Sequence, residues 1–283
     1  MYKIRFFSNF GDSSKCKEIY ERLCQTHLLS YYGEGKKVYI TNDEDYSHVI
    51  ILNTAMPDIS HISKQNVIGL AFEPIQFLNL TQEFVDYAQK HIGKYFIGDK
   101  YNLPSVFVEH YGYMWHTPPI DTIPNKSNII SIMVSDKLHM HGHKYRHDLV
   151  LRILSERLPI DIYGRGCKYY NMSYDQLKGH FESKEPYNDY KFHIAIENIQ
   201  SNHYFSEKIT DCLLCGTTPI YLGCKSIDGY FPDNIIKLTG NIDKDIVLLK
   251  NILRNPDIYQ KNIDLKAIHK KLSLVENIDH IFS

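Results

Sequence analysis

The sequence predicts an α/β protein of two domains, each built on a mostly parallel sheet. Three observations predict it. Short runs rich in Val, Ile and aromatic residues alternate with helix-like patterns along the whole chain, the arrangement of βαβ units. A polar segment, His116–Asn128, carries Pro118, Pro119 and Pro124 and has linker chemistry. The length, 283 residues, is that of about two domains.

In the first half the strand candidates are Lys3–Phe7, Lys37–Ile40, Val49–Asn53, Val67–Phe72, Tyr95–Ile97 and Val106–Val108, with helices at Cys16–Thr26 and Gln82–Lys90. In the second half they are Ile129–Val134, Pro159–Tyr163, Phe192–Ile196, Pro219–Leu222 and Ile235–Leu238. Helical patterns cover Tyr145–Glu156, Glu207–Cys215, Ile246–Leu253 and Ile263–Leu272. The predicted division is residues 1–124 and 125–283. Ligands of open α/β sheets sit beyond the carboxyl ends of strands, so the two sheets point to a site in the cleft they face.

Apolar residues make up 43% of the chain and charged residues 23%, which excludes a disordered or fibrous chain. Lys plus Arg (32) and Asp plus Glu (33) nearly cancel, so no nucleic-acid partner is expected from bulk charge, while a local anion pocket stays open. The cysteines at 16, 24, 167, 212, 215 and 224 are too sparse for a disulfide scaffold and read as reduced thiols. Met1–Phe7 interrupts its apolar stretch with charges and is no signal peptide, and no run of 18 apolar residues spans a membrane. A soluble, cytoplasmic protein is the expectation.

The informative stretch is Tyr190–Ile209. A strand ends in Glu197-Asn198, a polar loop follows, and a helix begins at Ser206 with Glu207 and Lys208 in its first turn. Ser206 suits the N-cap and Glu207 the positive helix end, but a lysine there is unfavourable unless it meets an anion. Lys208 and the helix start therefore read as half of a diphosphate site; a solvated helix start with an i,i+4 partner fits the spacing equally.

Glu197-Asn198, then Tyr204-Phe205-Ser206-Glu207-Lys208, then Cys215-Gly216-Thr217-Thr218-Pro219-Ile220-Tyr221-Leu222-Gly223, resembles the signature of glycosyltransferase family 10, the α-1,3/1,4-fucosyltransferases. The match covers residues 190–223, with weaker correspondence over about 66–260. Ile196, Ile199, His203 and Ser206 depart from the family pattern Phe-Glu-Asn-Ser … Asp-Tyr-Val-Thr-Glu-Lys. The first three bear on the choice of donor sugar more than on the reaction. The resemblance implies a GT-B fold of two Rossmann-like domains, with the nucleotide sugar, GDP-fucose, held by the C-terminal one. It implies transfer to a glycan acceptor with inversion at the anomeric carbon.

By the same resemblance Glu207 contacts ribose or fucose hydroxyls, Lys208 the diphosphate and Tyr204 the neighbouring donor surface, while Glu197 and Asn198 hold the donor side of the cleft. Val67-Ile68-Gly69-Leu70-Ala71-Phe72-Glu73 places Glu73 after a first-domain strand, where the family has its proposed catalytic base. An inverting transfer needs one carboxylate to take the acceptor proton. Arg146 and Arg165 are candidates for the departing diphosphate, since Arg recognises phosphate bidentately, and each fits a surface salt bridge equally well. Such cations make a bound metal unnecessary, so no metal or cofactor is expected.

His139, His141, His143 and His147 lack the carboxylate or Cys partners of a metal site and read as a loop around Gly142. Cys212 and Cys215 have CxxC spacing but read as buried apolar side chains. Asp43-Glu44-Asp45 and Asp243-Lys244-Asp245 read as acidic loops. Two rival readings remain: a GT-B transferase using another nucleotide sugar, and a catalytically inactive glycan- or nucleotide-binding adaptor.

Overall fold

The computed structural model describes residues 1–171, 173–182 and 184–283. The chain forms two compact units: Met1–Pro118 with Ser201–Tyr204 and His269–Ser283, and Pro119–Gln200 with Phe205–Ile268. The break falls at 118/119 instead of 124/125, and two later segments return to the first unit.

The first unit holds β1 (Tyr2–Ser8), β2 (Val38–Thr41), β3 (His48–Leu52), β4 (Val67–Leu70), β5 (Lys94–Ile97) and β6 (Phe107–Glu109), all parallel, in the order β2-β1-β3-β4-β5-β6. The second holds β7 (Asn128–Met133), β8 (Ile160–Tyr163), β9 (Leu177–Gly179), β10 (Tyr190–Ile196), β11 (Thr218–Leu222) and β12 (Ile236–Lys237). These too are parallel, in the order β12-β11-β10-β7-β8-β9. Numbered within the unit from the β9 edge, that is the Rossmann order 3-2-1-4-5-6. Strands covered on both faces have few places for polar side chains, which is why these runs are almost continuously apolar. Ile130, Ile132, Ile162, Ile194 and Ile220 carry the core of the second sheet, packed by Leu149 and Ile153 from one helix and Leu249 and Ile252 from another.

Side chains start the principal helices. Asp12 accepts from Lys15 N–H, Thr81 from Phe84 N–H, Ser206 from Lys208 N–H and Asn241 from Lys244 N–H, each satisfying a donor the first turn leaves open. Helix His141–Ser155 begins four residues before the expected Tyr145, so the histidine tract is the helix start and not a loop. Strand β9 is absent from the sequence reading because Leu177-Lys178-Gly179 has neither alternation nor an apolar run. The linker is tied to the second unit by Lys126, whose buried ammonium donates to Tyr187 O, Asn188 O, Cys215 O and Thr217 Oγ1 at 2.8–3.1 Å. Burial lowers its pKa.

Two buried histidines couple the fold to pH. His193 of β10 lies 2.8 Å through Nδ1 from Ser131 Oγ, and burial lowers its pKa to about 3. Burial likewise takes His116, in the first unit, to about 4. The unfolded chain therefore binds these protons near pH 6.5 while the folded chain refuses them, so stability is complete above that pH and falls as the pH drops towards 4. Between pH 7 and 5 each histidine is expected to remove about 2 kcal/mol. Thermal unfolding across this range should show a falling midpoint, reduced in slope by His193→Gln; an equal midpoint at pH 7 and 5 would contradict the burial argument.

Candidate active site

The second sheet reverses its winding between β7 and β10. Crossovers leave these neighbours in opposite directions, so the loops beyond their carboxyl ends part and open a crevice. A cavity of about 470 Å³ lies there, lined by Met133 at the end of β7, Val134 and Ser135 after it, Gly164 and Arg165 after β8, His180 and Phe181 after β9, and His193–Ile196 of β10. Arg146, Glu207 and Lys208 complete it. The charged lining is thus three cations and one carboxylate.

Glu197 assembles this edge. Its carboxylate is 1% exposed and accepts from Ser206 N–H at 2.8 Å and from the Ser206 hydroxyl at 2.7 Å, with Lys208 Nζ 3.5 Å away. Ser206, so held, caps helix Glu207–Leu214. Lys208 Nζ also lies 3.0 Å from Ser206 Oγ and 3.1 Å from Glu207 Oε1. Burial works against the Lys208 charge, but Glu197 and Glu207 outweigh it and raise its pKa. For Glu207 desolvation by the surrounding protein opposes ionisation and the adjacent Lys208 ammonium prevails, so its pKa is lowered.

Asn198 fastens the other helix. Its carbonyl accepts from Gly142 N–H at 3.0 Å, and its side-chain oxygen accepts from the Arg146 guanidinium. Arg146 is 6% exposed and also donates from Nε to Gly142 O at 3.2 Å. Burial lowers its pKa, with Glu197 and Glu207 acting in the opposite sense. Gly142 is required by this approach: a Cβ there would lie 1.9 Å from Glu197 O. Gly164 serves the neighbouring loop in the same way, with φ +102° and a Cβ position 2.3 Å from Val134 O.

Of the residues nominated from sequence, Arg146, Arg165, Glu207 and Lys208 share the cavity. Arg165 is 77% exposed, with Asp136 3.9 Å from its Nε. Glu197, Asn198 and Ser206 stand behind the lining; Glu197 in particular is turned inward and holds the helix start. Tyr204 belongs to a segment of the first unit, where Ser201 Oγ accepts from its N–H and His203 N–H reaches Gly98 O. Glu73 is exposed in the first unit on the loop after β4. Sequence reasoning did not nominate His180, Phe181 or His193. The first two follow the strand that has no sequence signal, and His193 sits inside an apolar run that reads as plain core.

The other tracts are engaged elsewhere. His147 lies within hydrogen-bond range of Tyr170 and Ser135 O, and His139 packs edge-on against His143. Burial raises the thiol pKa of both Cys212 and Cys215, the latter to about 11. Asp45 and Glu44 pair with Lys3 and Arg5, and Asp243 with Arg152. Asp245 is buried and accepts from Thr239 and Gly240 N–H. Among the described residues, no group of three or more His, Cys, Asp or Glu side chains converges as a metal site.

The model of the glycosyltransferase family 10 (fucosyltransferase) C-terminal region matches residues 123–261, which contain every element of this cavity. This segment belongs to glycosyltransferase family 10. An alpha-(1,3)-fucosyltransferase B of Drosophila melanogaster is 29% identical over 152 residues, which are 52% of this chain and 31% of that protein. A protein of Acanthamoeba polyphaga mimivirus provisionally named as a fucosyltransferase is 27% identical over 167 residues, 51% of this chain and 27% of that one. The matched regions thus span about a third or less of these curated relatives. Among solved structures, an alpha1,3-fucosyltransferase with GDP-fucose superposes with a TM-score of 0.54 at 15% identity, covering 100% of this chain and 90% of that one. TarM superposes at 0.51 with 13% identity, covering 83% of this chain and 55% of that one. The fold is GT-B.

If Glu197 anchors the family 10 helix start, Glu197→Ala leaves Ser206 N–H and hydroxyl buried without their acceptor, a loss of about 1–3 kcal/mol. Chemical denaturation should register a lower midpoint. An unmoved midpoint would mean that the carboxylate holds nothing.

Proposed function

We propose that the protein is an inverting fucosyltransferase that transfers L-fucose from GDP-fucose to a hydroxyl of a glycan. The observation that carries this reading is the cationic cavity at the switch point of the second sheet, within the family 10 segment. A diphosphate suits it on physical grounds. Lys208 and the open N–H groups of the helix behind Ser206 supply positive charge from one side, and Arg146 and Arg165 from others. Phe181 and His180 offer an aromatic wall beside Gly164, where a base can lie flat. Glu207, exposed at the helix start, is an acceptor for sugar hydroxyls.

In the proposed reaction the acceptor oxygen attacks the anomeric carbon of fucose as the bond from that carbon to the β-phosphate oxygen breaks. Glu73 takes the acceptor proton, and GDP departs with the electron pair of the broken bond. The charge that grows on GDP is met by Lys208, Arg146, Arg165 and the helix end, so the scheme calls for no metal. The bonds from Glu197 and Asn198 hold these groups in place before the donor arrives, which spares the transition state that reorganisation.

GDP at 100 times its dissociation constant is expected to add about 2.7 kcal/mol of stability, a rise of roughly 5–10 °C in melting temperature, with UDP giving far less. Lys208→Ala should lose most of that rise. Equal shifts from GDP and UDP would overturn the choice of guanine, and an unaltered GDP shift in Lys208→Ala would overturn the role of Lys208. Glu73→Gln should keep the GDP shift while kcat falls by about 10²-fold or more; unchanged turnover would exclude Glu73 as the base.

A further inference from the structure

Among the described residues, four buried side-chain polar atoms have no hydrogen-bond partner: Asn188 Oδ1, Thr210 Oγ1 and the Nε2 atoms of His116 and His269. A polar atom buried without a partner is rare enough in folded proteins to need a cause. The two imidazoles are in contact, with ring centroids 5.2 Å apart and planes at 83°. Both belong to the first unit. His116 follows β6 on the segment that leads to Pro118, and His269 opens the returning C-terminal segment on helix Leu265–Leu272.

The opposite nitrogen of each ring faces an oxygen. His116 Nδ1 lies 2.9 Å from Thr117 O, and a carbonyl only accepts, so that nitrogen carries the proton and Nε2 keeps a bare lone pair. His269 Nδ1 lies 3.7 Å from Glu276 Oε2, which favours a proton on the same side. Histidines that hold a metal show this arrangement, with one nitrogen on the ion and the other N–H towards a carbonyl or a carboxylate. Burial lowers both pKa values, that of His116 to about 4, so both rings are neutral at pH 7 and need lose no proton to bind an ion.

Spacing and charge both suit an ion. A tetrahedral ion at about 2.0–2.1 Å from each Nε2 holds two imidazole centres roughly 5 Å apart, close to the 5.2 Å found here. A bridging water uses the same lone pairs but needs no counter-charge, and this pair has one in the Glu276 carboxylate behind His269. His116 is 3% exposed and the His269 side chain 20%, so the pair is closed on one side and reaches solvent on the other, where an ion enters and keeps water ligands. The helix that carries His269 is tied down nearby: the Tyr111 hydroxyl donates to Leu272 O at 2.8 Å, and the Asn277 amide donates to Lys270 O at 2.8 Å.

We propose that His116 and His269 form a binding site for a late first-row divalent ion, zinc above all, held through the two Nε2 atoms and completed by water. The donor set decides the class: neutral imidazoles suit zinc, copper and nickel, whereas Mg²⁺ and Ca²⁺ take oxygen ligands. With two protein ligands the site is open and exchangeable, unlike a closed structural site of four. Its ion pins the C-terminal segment His269–Ser283 to the segment before Pro118, both within the first unit. The ion takes no part in the transfer chemistry, and the site is independent of the fucosyltransferase reading.

The test uses the untagged full chain, stripped with a chelator, dialysed and titrated with ZnCl₂ at pH 7, with MgCl₂ as the control. Zinc should raise the melting temperature saturably and magnesium should not. At ten times the half-saturating zinc concentration, hydrogen exchange of the amides in His269–Ser283 should slow about tenfold, a local effect that a surface site elsewhere does not give. His269→Gln, at a partly exposed position, should remove both signals, and Glu276→Gln should weaken zinc binding about 10- to 100-fold. His27→Gln, at an exposed histidine, should change neither. Melting without zinc checks that each variant folds, and Glu276→Gln carries the test if His269→Gln does not. No saturable zinc shift in the wild-type chain, which leaves a water between the rings, overturns the proposal. So does a zinc shift that survives unchanged in the folded variants, which places the ion elsewhere.

Discussion

The carboxylate of Glu197 is a charge buried at the carboxyl end of β10, and such a charge persists only where hydrogen bonds and an opposite charge saturate it. Ser206 provides two hydrogen bonds and Lys208 the counter-charge. That requirement determines where helix Glu207–Leu214 begins, which way its first N–H groups point and where the ammonium of Lys208 comes to rest. The next residue does the same for the other helix, as Asn198 binds Gly142 through its backbone and Arg146 through its side chain. Two adjacent residues thus set two helix starts around one crevice.

The two sheets share a winding principle and differ in what they place at the point where winding reverses. The second presents cations over a floor of β-strand, a surface for an anion. The first presents the rings of Phe10, Phe72 and Trp115. The polar spacer of the signature also acquires a meaning: Ser201–Tyr204 leaves the second unit and is held in the first by Asp99, which accepts from Asn202 N–H at 2.8 Å. The chain then returns at Phe205 to start the helix that carries Lys208.

Much of this was legible in the sequence, because strands buried on both faces leave continuous apolar runs that survive any detail of packing. Every strand but β9 was found within a few residues, and the cap Ser206 with Lys208 behind it marked a helix start whose lysine lines the cavity. What was not legible depended on tertiary contacts. His139–Gly142 carries no apolar periodicity, and its helix start is secured by Asn198 from a distant strand. Nothing local in the sequence shows that the Glu197 side chain turns inward to Ser206. Tyr204 lies inside the signature, yet its backbone is held by the first unit. Phe181 and His193 could be placed in the cavity only once the order of β7, β8, β9 and β10 was known.

A nucleoside diphosphate is expected in the crevice between the ends of β7 and β10, held by the helix start that Glu197 positions. A crystal structure of the complex with GDP tests it most directly. The claim predicts a diphosphate oxygen at about 3 Å from Lys208 Nζ, with the base against Phe181. A GDP molecule bound elsewhere, or a diphosphate out of reach of Lys208, would contradict it.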